Sequence, residues 1–335
     1  MSKPPVVIPL GAMRFNSDSQ KLEYWNGLKW RQVITFSPDL NGGGRGINMG
    51  GSNYVNVIDY VTISTSGNAT DFGDLITGSN LVSGGSSSTR SFIYGGRLSP
   101  GTPKSNHIEY VTFSSTGNST DFGDFPKTFN YGCIGNLCNA TRGMQCAGSQ
   151  GSPADVDEEM YYITYASAGN ANDFGDTSSN HSDGGNVLSS STRGVIAGGS
   201  NAGNVIEYIT IATTGNAVDF GDMTTINQGA GSSANSTRGV FIAGYIAANI
   251  NTIEYVTIST TGNALEFGEV AVARRWGAGM ASSTRALLCG GYSGAYINTI
   301  DYIEISTGGD AVDFGDLVAE VGGLTSNSNC HGGLG

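Results

Sequence analysis

Histidine is nearly absent from this chain: His107, His181 and His331 are the three in 335 residues. No two stand at ligand spacing, so a zinc or copper centre is not expected. No Ser/His/Asp or Cys/His set can be assembled from them, which removes the usual nucleophilic catalysis. The five cysteines, Cys133, Cys138, Cys146, Cys289 and Cys330, are an odd set without a C-x-x-C pair. They read as small buried hydrophobes rather than a disulfide framework. Prolines number only eight. Helical apolar periodicity is missing, which excludes bundles and α/β repeats. No stretch approaches the ~20 apolar residues of a membrane helix. Residues 1–12 contain three prolines and no long apolar core, so they do not read as a signal peptide. Positive charge is scarce too: 16 Lys and Arg face 28 Asp and Glu, a formal charge of −12 that disfavours nucleic acid.

What is present is repetition. Ile253–Gly268, IEYVTISTTGNALEFG, has five other versions. Its tyrosine recurs as Tyr60, Tyr110, Tyr162, Tyr208, Tyr255 and Tyr302, at spacings of 50, 52, 46, 47 and 47 residues. Eleven positions after each tyrosine begins an Asp/Glu-Phe-Gly-Asp/Glu cluster, at Asp71, Asp121, Asp173, Asp219, Glu266 and Asp313. These clusters supply twelve acids and the position before the tyrosine five more, so 17 of the 28 acids belong to the repeat. A period in the forties means stacked or radial units, none stable alone.

Each unit holds four short apolar-rich segments. The first follows an arginine (Arg45, Arg90, Arg142, Arg193, Arg238, Arg285) and carries a glycine six residues on. The second is the tyrosine strand, the third ends in the Asp-Phe-Gly-Asp cluster, and the fourth is small and polar, as in 229–237 or 277–285. Small residues there suit a strand crowded by its neighbours or near a central axis. With 52 glycines marking turns, the expectation is an all-β protein, a six-bladed β-propeller with four strands per blade. The chain enters on the arginine segment at 45–51 and leaves on a fourth-type segment, Val318–Asn329, so the C-terminal strand is expected to close the first blade and abolish its free edge. The propeller domain is 41–335. Before it, residues 1–40 read as an arm with a short meander: strands Met13–Phe15, Lys21–Trp25 and Lys29–Ile34, with turns at Asn16–Gln20 and Asn26-Gly27.

Three motifs have plain readings. The Asp-Phe-Gly-Asp cluster resembles the kinase metal-binding triplet, but six copies without a Gly-rich loop or an HRD leave a structural role. A calcium ion per blade is not favoured, since only two carboxylates recur and calcium prefers more oxygens. The six arginines are expected to bridge repeat carboxylates, most readily those of the Asp-Phe-Gly-Asp clusters. Asn68, Asn118, Asn139 and Asn235 open Asn-x-Thr triplets and read as turn residues. No cofactor and no metal site is expected.

The glycine pair after an apolar strand, the Glu-Tyr strand and the late aromatic (Phe72, Phe122, Phe174, Phe220, Phe267, Phe314) resemble the kelch class over 45–329, with Phe where kelch has Trp. Within the arm, Gly11, Arg14, Phe15, Asn16, Leu22, Glu23, Tyr24, Asn26, Gly27 and Trp30 follow a pattern that looks like the G-x-x-R-F/Y-N…L-E-Y/G-x-N-G-x-x-W element of bacteriophage tail fibres and other virion proteins. The Gly- and Asn-rich STTGNAxDFGD phrase is similar to marine phage structural proteins. This resemblance implies a non-enzymatic virion protein, assembled in the host cytoplasm. Arg14, Phe15, Trp25 and Trp30 would anchor it to other virion proteins, and the propeller would be displayed as in a tail fibre or adhesin. A homo-oligomer is expected, without membrane insertion. Alternatives are a capsid or tail decoration protein without receptor binding, a free lectin-like or scaffold propeller, and, less favoured, a glycosidase.

Antiparallel strands sort the loops onto two faces. The STTGN and STR turns are nearly uniform among copies. Loops of the opposite face diverge: Arg97–His107, Ser149–Glu159, Tyr245–Thr252, Val270–Trp276 and Tyr292–Thr299. A varied face on a rigid scaffold is where recognition is placed. Its candidate binding residues are Arg97, Lys104, Lys127, Phe129, Tyr245, Arg274, Arg275, Trp276, Tyr292 and Tyr296, whose aromatics and cations suit a host-surface glycan or protein.

Overall fold

The computed structural model describes residues 8–16, 21–32, 44–98, 104–129, 133–149, 156–181 and 184–334. The expected turn over 17–20, the end of the third arm strand at 33–34, and parts of two divergent loops, 99–103 and 150–155, lie outside the described residues. The described chain is all-β, in two compact units, Met1–Leu40 and Asn41–Gly335.

In the first unit Met13–Asn16, Lys21–Trp25 and Trp30–Gln32 form an antiparallel three-stranded sheet in sequence order. The second turn forms because Asn26 Oδ1 accepts hydrogen bonds from the Leu28 and Lys29 amides, and Gly27 takes the left-handed φ of 93° that the turn needs. Opposite residues in the register share a face. Met13 faces Tyr24 and Phe15 faces Leu22, and all four side chains are exposed. On the other face Arg14 sits 4.3 Å over Trp30 and ion-pairs with Glu23 at 2.8 Å, while Trp25 and Trp30 pack 5.6 Å apart.

The second unit repeats one sheet. In the fifth repeat the order is Gly231–Ala234, Arg238–Tyr245, Asn249–Thr257, Leu265–Glu269, all antiparallel. The second and sixth repeats have the same four strands. In the first, the inner strand comes from the far end of the chain: Thr325–Ser328 pairs with Arg45–Met49, Thr325 facing Met49 and Ser328 facing Gly46. The arginine and tyrosine strands are short in the first and fourth repeats. In the second, third, fifth and sixth they run on into longer hairpins beyond a bulge at the repeated glycine, for example between Ile242 and Gly244 and between Cys289 and Gly291.

The third repeat departs from the expectation of four strands per unit. Its own sheet has three strands, and Ile134–Gly135 instead runs parallel to Asn186–Ser189 as a fifth strand of the fourth sheet. Contacts toward the other repeats hold this segment: Leu137 is buried among Met144, Cys146, Val187 and Ile196, while Cys138 keeps a bridge to Gly143 of its own sheet. Asn136, drawn inward beside them, donates to the carbonyls of Ser326 and Gly279 at 2.8 and 3.2 Å.

The apolar core is divided into six clusters, each straddling two repeats. Ile47, Phe72 and Val111 join the first to the second. Equivalent clusters join each later pair, and Val61, Ile63, Met280 and Phe314 join the sixth to the first. Each fully buried aliphatic or aromatic side chain contributes about 1.5–3 kcal/mol. Most of that stabilisation therefore lies between sheets, which is why one unit alone cannot fold.

Candidate functional site

The residues that recur six times are used in joining neighbouring sheets. Each repeated arginine stands over the tyrosine of its own repeat, 4.2–4.7 Å from the ring centroid. Its Nη1 donates to the backbone carbonyl three residues past the next repeat's tyrosine: Arg45 to Phe113, Arg90 to Tyr165, Arg142 to Ile211, Arg193 to Ile258, Arg238 to Ile305, and Arg285 back to Ile63. This corrects the expected arginine–carboxylate bridges. Arg285 alone among the six has a described carboxylate partner, Glu304 at 2.8 Å, and Glu304 lies outside the Asp-Phe-Gly-Asp clusters. A guanidinium already stacked on a ring and held by a carbonyl has little to gain from an exposed acid.

The Asp-Phe-Gly-Asp clusters make the second join. Their phenylalanines are buried edge-on against the repeat tyrosines, at 5.9–6.1 Å. The phenylalanine carbonyl accepts from the glycine amide of the next STTGN turn at 2.7–2.9 Å, from Phe72 to Gly117 onward and finally from Phe314 to Gly67. The asparagine of that turn, or Asp310 in the sixth repeat, accepts from the amide of the cluster's last acid through its side-chain oxygen. Asn68 and Asn118 serve here, while Asn139 and Asn235 cap their own STR turns.

The acids before the tyrosine are buried. Asp59, Glu109, Glu207 and Glu254 accept backbone amides of Val318, Ile76, Ser178 and Thr224, each two residues past the preceding cluster. Burial pushes the Asp59 carboxyl up to about 6, against the lowering effect of Asn48 and the Val318 amide. Burial likewise raises Glu254. Glu207 is lowered on balance: burial acts to raise it, and the His181 and Ser178 bonds outweigh that. Asp301 pairs with Arg274 at 2.7 Å. Two grooves, of about 380 and 440 Å³, lie among the uniform turns, lined by residues such as Ser87, Thr141 and Tyr165 or Tyr60, Thr65 and Asn68. Neither is lined by an acid, a histidine or a thiol.

The divergent loops remain. Two of the ten candidate residues there are not at a surface. Arg274 is fully buried, its Nη2 donating to the Leu288 carbonyl, and burial holds its guanidinium below the usual arginine range. Phe129 is core, edge-on to Phe125 in the cluster between the second and third repeats. Read as a loop, the stretch is in fact the end of the ten-residue strand Thr120–Phe129, whose alternation turns Phe129 inward. Lys127 ion-pairs with Glu159 at 2.6 Å, and Arg97 and Lys104 face each other across the second repeat's hairpin.

The other five converge. The Arg275 guanidinium lies 4.3 Å from the Tyr245 ring centroid, 4.2 Å from Trp276 and 5.5 Å from Tyr292. Tyr292 packs 6.0 Å from Trp276 and 5.3 Å from Tyr296. All five side chains are half-buried. Tyr245 and Asn249 end one hairpin, Tyr292 and Tyr296 end the next, and Asn249 Nδ2 ties them by donating to the Tyr292 carbonyl at 2.9 Å. Trp276 has φ of 58°, where Gly229 and Gly323 stand in other repeats at 68°. A bulky residue in that region costs about 1–2 kcal/mol.

Two histidines that the sequence does not single out are buried. His181 bridges Gly198 O and Glu207 at 2.7 and 2.8 Å. His331 accepts from the Gly333 amide through Nδ1 at 3.0 Å, so its Nε2 carries the proton and faces Ser86 O at 3.1 Å. Neither lies within a repeated phrase, so no comparison of copies could expose its role. Of the arm residues, Arg14, Trp25 and Trp30 share one face and Phe15 is on the other. Among the described residues, no three of His, Cys, Asp and Glu gather in a way that could hold a metal ion. No protein-family model matches the chain, and no curated protein matches its sequence.

Proposed function

We propose that this chain is a non-enzymatic structural protein of a bacteriophage particle. Its six repeats would form a six-bladed kelch-like propeller, and residues 1–40 would hold that propeller on the virion. The propeller reading is supported by joins that pass from each repeat to the next and from the sixth to the first, in the core clusters, the arginine bonds and the cluster-to-turn bonds alike. Because the repeated residues serve those joins, they leave no acid–base set for catalysis, and binding falls to the divergent loops. The tail-fibre or adhesin role is preferred to simple decoration because five of those loop residues converge in one aromatic and cationic cluster.

The observation that carries the virion reading is the arm. Its sequence resembles the phage element, and its sheet leaves Met13, Phe15, Leu22 and Tyr24 exposed on one face. A sheet of this size cannot hold a core of its own and needs a partner surface, from another virion protein or from copies of the chain. The full-length double variant Phe15→Glu, Leu22→Lys tests this. It should melt like the wild type and be missing from purified particles. Particles carrying it at normal copy number would overturn the reading.

A further inference from the structure

Arg275 differs from every other arginine of the repeats. The six repeated arginines each donate to a carbonyl of the next sheet, and Arg274 is buried against Asp301. Arg275 stands among three aromatic rings, and among the described residues no acceptor meets its guanidinium; its Nε is shut off from water without a hydrogen bond. The backbone beneath it is fixed, since Arg275 and Tyr292 exchange both amide-to-carbonyl bonds at 3.1 and 2.7 Å. Trp276 beside it has a left-handed φ of 58°, as Leu81 does at 57° in the second repeat, where Gly184, Gly229 and Gly323 stand in others.

From this geometry we infer that Tyr245, Arg275, Trp276, Tyr292 and Tyr296 form a binding site for a carboxylate-bearing saccharide, a uronic-acid type of sugar. The guanidinium fork meets the sugar carboxylate with paired hydrogen bonds, and the stacked rings hold the fork in place. The half-buried aromatic rings offer flat faces to the C–H side of a pyranose. A sugar fits better than an acidic peptide because the cluster is built of flat rings, which suit the face of a pyranose. This inference rests on the reading that the divergent loops are the recognition surface, and it does not depend on the virion.

The test is calorimetric titration of the purified full-length protein with trigalacturonate, its methyl ester and a penta-glutamate peptide. Trigalacturonate should bind, and the methyl ester should bind at least about tenfold more weakly, the value of one charge-assisted hydrogen bond or more. Arg275→Met should lose a similar factor with an unchanged melt, and Arg275→Lys should recover part of it. Trp276→Gly should abolish binding while the melt holds or rises, because glycine accepts that φ; a purely structural tryptophan would lower the melt instead. Three results would overturn the inference: no heat with trigalacturonate, equal affinity for its methyl ester, or equal affinity for penta-glutamate. Particle incorporation is read separately, so failure of the sugar site and failure of the virion reading leave different results.

Discussion

Asp59 shows how one buried acid couples the join between the sixth and first repeats to pH. It accepts from Asn48 Nδ2 at 2.7 Å and from the Val318 amide at 3.2 Å, yet burial still raises it to about 6. Between about pH 4 and pH 6 the folded chain therefore holds a proton that the unfolded chain has released. Stability from this group is present at the acid end and falls as pH rises through that window, by at most about 3 kcal/mol. Glu254 is raised as well and acts in the same direction, while Glu207, lowered on balance with His181 and Ser178 as its main partners, acts in the opposite one. Asp59→Asn keeps an acceptor for the amide and cannot ionise. Its melting temperature should fall less than the wild type's between pH 4 and pH 7, as measured by differential scanning calorimetry; parallel curves would refute the assignment. The acid before the tyrosine was visible in five copies of the repeat, but its burial was not.

At the scale of elements, the cluster and the STTGN turn form one device split between two sheets. A Cβ placed on Gly221 would lie 2.6 Å from the Gly262 carbonyl group, so the two backbones meet where no side chain fits. A Cβ on Gly262 would meet nothing within 4 Å, although both glycines have φ near 150°, 146° and 153°. Both alanine variants carry backbone strain, and only Gly221→Ala also forces the sheets apart. Gly221→Ala should therefore cost about 2 kcal/mol more than Gly262→Ala in denaturant unfolding. Equal costs would mean that the close approach contributes nothing. The spacing of eleven residues from tyrosine to cluster was plain in the sequence, as was a structural role for the cluster. That the cluster's partner is a turn of the next repeat could not be read, because every copy offers the same turn.

At the scale of the whole second unit, segments near its two ends share one sheet. Thr325–Ser328 supplies the inner strand beside Arg45–Met49, and Asn327 reaches on to Ser91 and the Phe92 carbonyl at 3.0 and 2.9 Å. Beyond it, Gly332 and Gly333 are buried in the short 3-10 turn Gly332–Leu334. Removing residues 325–335 exposes an edge and strips these bonds at once. The truncated chain should melt at a lower temperature and less sharply than the full chain and associate on size-exclusion chromatography; an unchanged sharp melt in a monomer would show that the closing strand is dispensable.

The repeat, its six copies, the all-β class and the offset between first and last segments were determined by sequence alone, because a pattern copied six times reports its own period. Tertiary structure decided what each copy faces. Six similar arginines could have met carboxylates or carbonyls, and the choice depended on where the neighbouring tyrosine strand ends. Ile134–Gly135 runs beside Asn186–Ser189, where Leu137 and Asn136 meet partners from other repeats. Arg274 and Arg275 are adjacent in the chain, yet one is buried on Asp301 and the other stands among aromatic rings, since backbone direction, not residue type, sets which side each faces.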